Sequence, residues 1–127
     1  MEERFMGARS LTGIQHMAHL VLGQVKAVLD SFAQNSPELA RHVWLHDGEV
    51  DTLHNSLFRE LLTYMMEDPR SITFSTHLLF IAKNVERAGD HATNIAETVY
   101  FIETGQQLSG PRPKGDSSAF AVTAKEE

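Results

Sequence analysis

The most informative stretch of the chain is Asn84-Val85-Glu86-Arg87-Ala88-Gly89-Asp90-His91-Ala92-Thr93-Asn94-Ile95-Ala96-Glu97. On an α-helix, Glu86 and Asp90 lie one turn apart on the same side, and Glu97 falls on that stripe two turns later. The stripe is otherwise largely apolar, and its neighbours are Leu79, Ala82, Thr93, Tyr100 and Phe101. Like charges at this spacing repel each other, and burying them without compensation costs more. Lys83 only flanks the stripe and Arg87 projects about 100° away from Glu86, so the pattern indicates a bound metal ion.

A second acidic pair, Asp47 and Asp51, repeats this spacing in the preceding helical segment. If the two segments run antiparallel, both pairs converge on one site, with Glu97 at its edge. Carboxylate oxygens of this kind suit Mg²⁺, Mn²⁺ and Ca²⁺, and carboxylate-rich helical sites also hold iron. The alternative is that each pair belongs to a solvated helix face. Because both pairs lie within apolar stripes, we predict a metal site formed by Asp47, Asp51, Glu86, Asp90 and Glu97.

The same residues resemble a known family. Residues 81–97 are similar to the signature helix of PhoU, the bacterial phosphate-uptake regulator, and residues 47–53 resemble the other acidic motif of the same repeat. The resemblance covers roughly residues 10–105. It implies a three-helix repeat in which E/D-x-x-x-D motifs bind metal, a role that by position carries onto Asp47, Asp51, Glu86 and Asp90. PhoU proteins usually contain two such repeats, whereas this chain has room for one, so we expect a C-terminal half or a single-repeat relative.

The resemblance also implies a function. It suggests a non-catalytic negative regulator that inhibits the phosphate-responsive sensor histidine kinase and modulates the phosphate ABC transporter. The protein would then be cytoplasmic and reach the inner face of the membrane through protein contacts. The metal, which the sequence leaves open among Mg, Mn, Fe and Zn, would be structural or would tune a docking surface.

Length and composition restrict the class of protein. The 127 residues are enough for one domain with a modest core. A net charge of −6 argues against direct binding to nucleic acid. No apolar run approaches the ~20 residues of a membrane span, so we expect no direct membrane insertion. The acidic start gives no sign of a secretory signal, and the absence of cysteine excludes thiolate ligands.

Apolar periodicity predicts an all-α fold, an antiparallel three-helix bundle. The first helix is expected to begin after Ser10, with residues 1–9 as an N-terminal stub. The second should start at Pro37, capped by Ser36, and run without a break to about Glu67. The third should follow a Ser71 cap and end near Glu103, with Gly105 as its terminator. The bundle then spans residues 10–105, and residues 106–127, rich in Gly, Pro and Ser, form a mobile tail.

The second helix has a wide apolar arc that includes Val50, Leu53, Leu57 and Tyr64 besides its acidic stripe. This arc is wider than the roughly 100° needed for one packed face. We therefore expect part of it to pack against another chain, which predicts a homodimer or a larger oligomer.

Two other functions stay open from the residues alone. A helical-bundle non-haem metal enzyme would typically use Glu-x-x-His pairs on two helices, and here only Asp51 and His54 come near that pattern. A metal-free helical interaction module is the other alternative. Thr93 and Asn94 adjoin the acidic stripe, where they either donate hydrogen bonds to the carboxylates or simply pack between helices. No phosphate-binding loop or hydrolytic triad is visible, so we do not expect an enzyme.

Overall fold

The computed structural model describes residues 2–108, with side chains from Arg9 onward. Helix α1 spans Glu2–Ala33, α2 spans Pro37–Leu45, α3 spans Asp47–Glu67 and α4 spans Ile72–Thr104. A short 3₁₀ turn, Pro69–Ser71, leads into α4. Helices α2 and α3 together form the middle member of the bundle, and every member packs against the other two. The all-α three-helix bundle is therefore confirmed for this part of the chain.

The start of α1 differs from the prediction. The helix already includes Glu2 and continues unbroken through the residues expected to form a separate stub. Ser10, after which the helix was expected to begin, lies inside α1. It is fully buried, and its hydroxyl donates to Glu60 Oε1 on α3 at 3.4 Å. Tyr64 donates to the same carboxylate oxygen at 3.2 Å, and burial together with Glu60 raises the pKa of Tyr64. The hydroxyl of Ser10 thus serves a contact between helices, which the sequence around Ser10 does not reveal.

The prediction of one continuous helix from Pro37 to about Glu67 is wrong, because the structure has two helices there, α2 and α3. The break is at His46, whose backbone has φ −101° and ψ 8°. Around the break the hydrogen bonds shorten to the i→i−3 pattern, from His46 N to Val43 O at 3.2 Å and from Glu49 N to His46 O at 3.4 Å. Glycine at position 48 weakens the helix here, and acidic residues are favoured where a helix starts. The break consequently places Asp47 in the first turn of α3.

Of the three residues predicted to cap helix ends, Ser36, Ser71 and Gly105, two are confirmed in that role. Ser36 Oγ accepts from Leu39 N at 3.2 Å at the start of α2, and Gly105 adopts φ +71° with its N–H bonded to Phe101 O. Ser71 does not cap α4 with its side chain, because its hydroxyl faces the carbonyls of Asp68 and Tyr64. Asp68 instead caps the 3₁₀ turn, and hydrogen bonds from Arg70 lower the pKa of Asp68. The predicted mobile tail lies outside the described residues from position 109 onward.

The core has two parts. The first contains Ile14, Met17, Val21, Val50, Leu57, Leu61, Leu78 and Ala82. The second contains Val28, Ala40, Val43, Ala92, Ala96 and Val99. Along the chain, two acidic residues fall between these parts: Asp47 lies between Val43 and Val50, and Asp90 lies between Ala82 and Ala92. The fold thus holds carboxylates in the middle of the bundle.

The apolar arc of the middle helix is largely covered within the chain, contrary to the expectation that it needs a partner. Val50 and Leu57 are only 1% and 5% exposed because they pack in the core beside α1 residues. The most exposed large apolar side chains lie mainly on α1 and α4 instead: Leu22, Leu29, Phe32, Phe80, Phe101 and Ile102, with Met66 at the end of α3. Among residues 2–108, none of the helices combines the length and apolar character needed to cross a bilayer.

Candidate metal site

Three carboxylates meet where α3 packs against α4. Asp47 and Asp51 project from α3 and Asp90 from α4, and one oxygen from each lies within 4.8 Å of the other two. Asp47 is 1% exposed and Asp51 is 7% exposed, while Asp90 is partly buried. Two oxygens bound to one cation at roughly 2.0–2.6 Å can be at most about 5 Å apart. The three oxygens are therefore spaced so that a single cation could contact all of them.

The local sequence explains how α3 contributes two of these carboxylates. Asp47 and Asp51 are separated by one helical turn, so their side chains lie on the same side of α3. Because α3 begins at Asp47, the positive end of the helix dipole stabilises that carboxylate. Asp51 lies one turn further into the helix, where this effect has largely faded. Asp51 and Asp90 therefore depend more on other sources of positive charge.

Thr93 orients the most buried carboxylate. Its hydroxyl is fully buried and lies 3.0 Å from Asp47 Oδ1, to which it donates, and 3.1 Å from the Gly89 carbonyl. Of the two roles that the sequence left open for Thr93, hydrogen bonding to a carboxylate is therefore the observed one. Asn94 is exposed and lines a surface groove with Phe32 and Ile102. A hydrogen bond from Asn94 to the carboxylates therefore stays a prediction.

Glu86 is engaged elsewhere in this structure. Its Oε1 accepts a hydrogen bond from Lys83 Nζ at 2.8 Å, and its Oε2 lies 3.4 Å from His54 Nδ1 on α3. The expectation that the nearby bases leave Glu86 uncompensated is therefore wrong, because Lys83 reaches it within one turn. Glu97 is exposed. The structure thus brings together three of the five predicted ligands, and the assignment of Glu86 and Glu97 as ligands stays a prediction.

Two residues near the site were not identified from the sequence. His54 faces Glu86 across the α3–α4 contact. The Asp51-x-x-His54 spacing gave a hint of this, but its partner on another helix cannot be inferred from one helix alone. Gln24 of α1 donates from Nε2 to the His46 carbonyl at 3.4 Å, next to Asp47. No pattern around Gln24 signals this contact.

The chemistry of the three converging side chains can be compared with what a hard cation requires. All three are carboxylates, and oxygen ligands suit Mg²⁺, Mn²⁺ and Ca²⁺ and are also compatible with iron. Closely spaced negative charges in a partly buried position repel one another. A divalent cation removes this conflict, so the donor set fits a metal ion.

The comparisons with known proteins agree on one family. The PhoU domain model matches residues 14–99. A Rhizobium meliloti protein named phosphate-specific transport system accessory protein PhoU homolog is 60% identical over 107 residues, covering 84% of this chain and 45% of that protein. A protein of the same name from Caulobacter vibrioides is 55% identical, covering 81% of this chain and 45% of that protein. Another from Pseudomonas aeruginosa is 39% identical, covering 79% of this chain and 41% of that protein.

The coverage is unequal between this chain and its relatives. The chain spans a little under half the length of the curated relatives it matches. No solved structure matches it.

Proposed function

This chain belongs to the PhoU family, and from that premise we propose that it is a metal-binding, non-catalytic regulator of phosphate uptake. The observation that carries the proposal is the convergence of Asp47, Asp51 and Asp90. The relatives that it matches are named accessory proteins of the phosphate-specific transport system. The proposed partners are the phosphate ABC transporter and the phosphate sensor histidine kinase, whose signalling the protein restrains.

The metal acts by joining two helices. Asp47 and Asp51 belong to α3 and Asp90 to α4, so a cation bound to all three holds these helices in one register. The carboxylates supply charge and oxygen ligands, and Thr93 fixes the orientation of Asp47. The all-carboxylate set favours Mg²⁺, Mn²⁺ or iron over Zn²⁺, which more often takes nitrogen or sulfur ligands. The site is proposed to be structural and to tune the outer surface of α4.

That outer surface is the proposed docking face. His77, Asn84, Arg87 and His91 are all exposed, and the large apolar side chains of Phe80 and Ile95 lie beside them on the same helix, also exposed. Polar and apolar groups side by side are typical of protein–protein contacts. Membrane recruitment is proposed to run through this face, with the protein on the cytoplasmic side.

Metal should strengthen partner binding if it orders the docking face. In a pull-down of the 127-residue chain with the cytoplasmic part of the sensor kinase, we expect affinity to fall at least about fivefold when a chelator is added. Arg87→Glu should weaken binding with metal present, whereas Arg41→Glu, an exposed arginine on α2, serves as the control. Equal binding with and without chelator would refute the coupling, and equal loss in both variants would refute the docking face.

Self-association is the second expected property. Leu22, Leu29 and Phe32 on α1 and Ile102 on α4 leave apolar surface exposed, which favours association with a second copy. Light scattering at micromolar concentration is expected to give about twice 14.2 kDa. Phe32→Gln should shift the mass toward that of the monomer. Met66, at the end of α3, is 84% exposed, and Met66→Gln should leave the mass unchanged. A wild-type monomer contradicts the prediction.

A further inference from the structure

Gln24 of α1 is buried, and its amide nitrogen has a hydrogen-bond partner whereas its amide oxygen has none among the described residues. The residue is 9% exposed, and its Nε2 donates to the His46 carbonyl at 3.4 Å. That contact fixes the amide orientation, because a flipped amide would bring two oxygens together. Oε1 is then fully enclosed, and no donor among residues 9–108 is within hydrogen-bonding reach of it. A buried acceptor in this state normally has a partner.

The oxygen points toward the segment of α4 that carries Asp90. A Cβ added to Gly89 would lie 3.2 Å from Gln24 Oε1, with Val21 and Val50 at 3.3 and 3.7 Å. The glycine therefore lets the amide approach the α4 backbone closely. The Gly89 carbonyl is also 3.1 Å from the Thr93 hydroxyl, which donates to Asp47.

The two ends of the amide flank the segments that bear the carboxylates. His46, which Nε2 contacts, directly precedes Asp47, and Gly89, which Oε1 faces, directly precedes Asp90. Among the α1 side chains from Arg9 onward, Gln24 thus reaches the segments that bear the carboxylates with an oxygen that has no donor. Hydrated Mg²⁺ and Mn²⁺ keep several waters, each of which needs an acceptor for its protons.

We infer that Gln24 completes the cation site by accepting, through Oε1, a hydrogen bond from a water on the bound cation. This inference rests on the proposed metal-binding function. It adds α1 to the helices that contribute to the site. Gln24 is then a positioning residue for the hydrated ion, and occupancy of the site links α1 to the α3–α4 pair. A purely structural role, in which Nε2 only satisfies the His46 carbonyl, is the competing explanation.

The test compares Mn²⁺ binding by equilibrium dialysis for the full chain and three variants. Gln24→Met keeps the shape of the side chain but removes both polar atoms, and we expect a 10–100-fold weaker Kd. Gln24→Glu keeps an oxygen and loses the donor to His46, so it should bind Mn²⁺ at least as tightly as wild type. Gln15→Met, at an exposed position of the same helix, should bind as wild type does. Far-ultraviolet circular dichroism of the metal-free proteins checks that each variant is folded.

The outcomes separate the two levels of the proposal. Weaker Mn²⁺ binding by Gln24→Met, together with wild-type or tighter binding by Gln24→Glu, supports the role of the oxygen. Equal loss in both variants means that only the His46 contact matters and overturns the inference, as does wild-type affinity in Gln24→Met while the wild type binds Mn²⁺. Should Gln24→Met not fold, weaker binding by a folded Gln24→Glu would overturn the inference, and wild-type or tighter binding would support it. Absence of Mn²⁺ binding by the wild type overturns the metal-binding function itself.

Discussion

Asp51→Asn is expected to stabilise the metal-free chain and to abolish its stabilisation by Mn²⁺. Asp51 is 7% exposed and has carboxylate oxygens of Asp47 and Asp90 within 4.8 Å. Removing its charge relieves repulsion, which should raise the free energy of unfolding by about 1–2 kcal/mol without metal. At a Mn²⁺ concentration of about 100 Kd, the wild type should gain about 2.7 kcal/mol, or roughly 10 °C in Tm for a chain of this size. The variant should gain little.

Glu49→Gln is the matched control for this experiment. Glu49 is also an acidic residue in the first turn of α3, but it is exposed and is not one of the three converging carboxylates. Its replacement should change stability by no more than about 0.5 kcal/mol and leave the Mn²⁺ effect intact. Thermal unfolding followed by circular dichroism, with and without Mn²⁺, measures both quantities. A Mn²⁺-induced Tm shift that survives in Asp51→Asn would contradict the site.

Met17→Ala should have the largest effect on the fold. Met17 is fully buried and belongs to the core cluster that also contains Val21, Leu57 and Leu61. Truncation to alanine leaves a cavity between helices, and such changes cost about 2–5 kcal/mol. Urea denaturation should therefore show a much lower midpoint with an unchanged slope.

Met66→Ala provides the comparison within the same residue type. Met66 is 84% exposed at the end of α3, so its truncation should change the free energy of unfolding by no more than about 0.5 kcal/mol. Similar losses in the two variants would mean that α1 does not pack as described. A loss confined to Met17→Ala supports the placement of α1 against α3.

Features that depend on neighbouring residues in the chain could be predicted from the sequence. The Ser36 cap with Pro37 after it and the left-handed Gly105 are set by local backbone chemistry. The stacking of Asp47 over Asp51 likewise follows from helix periodicity alone. These predictions needed no knowledge of how the helices pack.

Features that depend on contacts between helices could not be predicted in this way. The break at His46 involves a hydrogen bond from Gln24, which is far away in the chain. Ser10, expected just before the first helix, lies within α1 and bonds to Glu60 of α3. Glu86 shares its helical stripe with Asp90, yet the register between α3 and α4 brings it to His54, besides the bond that it accepts from Lys83 of its own helix. Only the three-dimensional packing selects which carboxylates converge.

The most direct measurement is the number of Mn²⁺ ions bound per chain at equilibrium, compared between the wild type and the double variant Asp51→Asn/Asp90→Asn. The double variant retains one of the three converging carboxylates, Asp47. The neutral amide oxygens of the two asparagines cannot replace the two charged carboxylates as ligands. We expect the wild type to bind at least one Mn²⁺ saturably and the double variant to bind none at the same free concentration. Equal binding by both proteins would contradict this site, and no binding by the wild type would contradict metal binding by this chain.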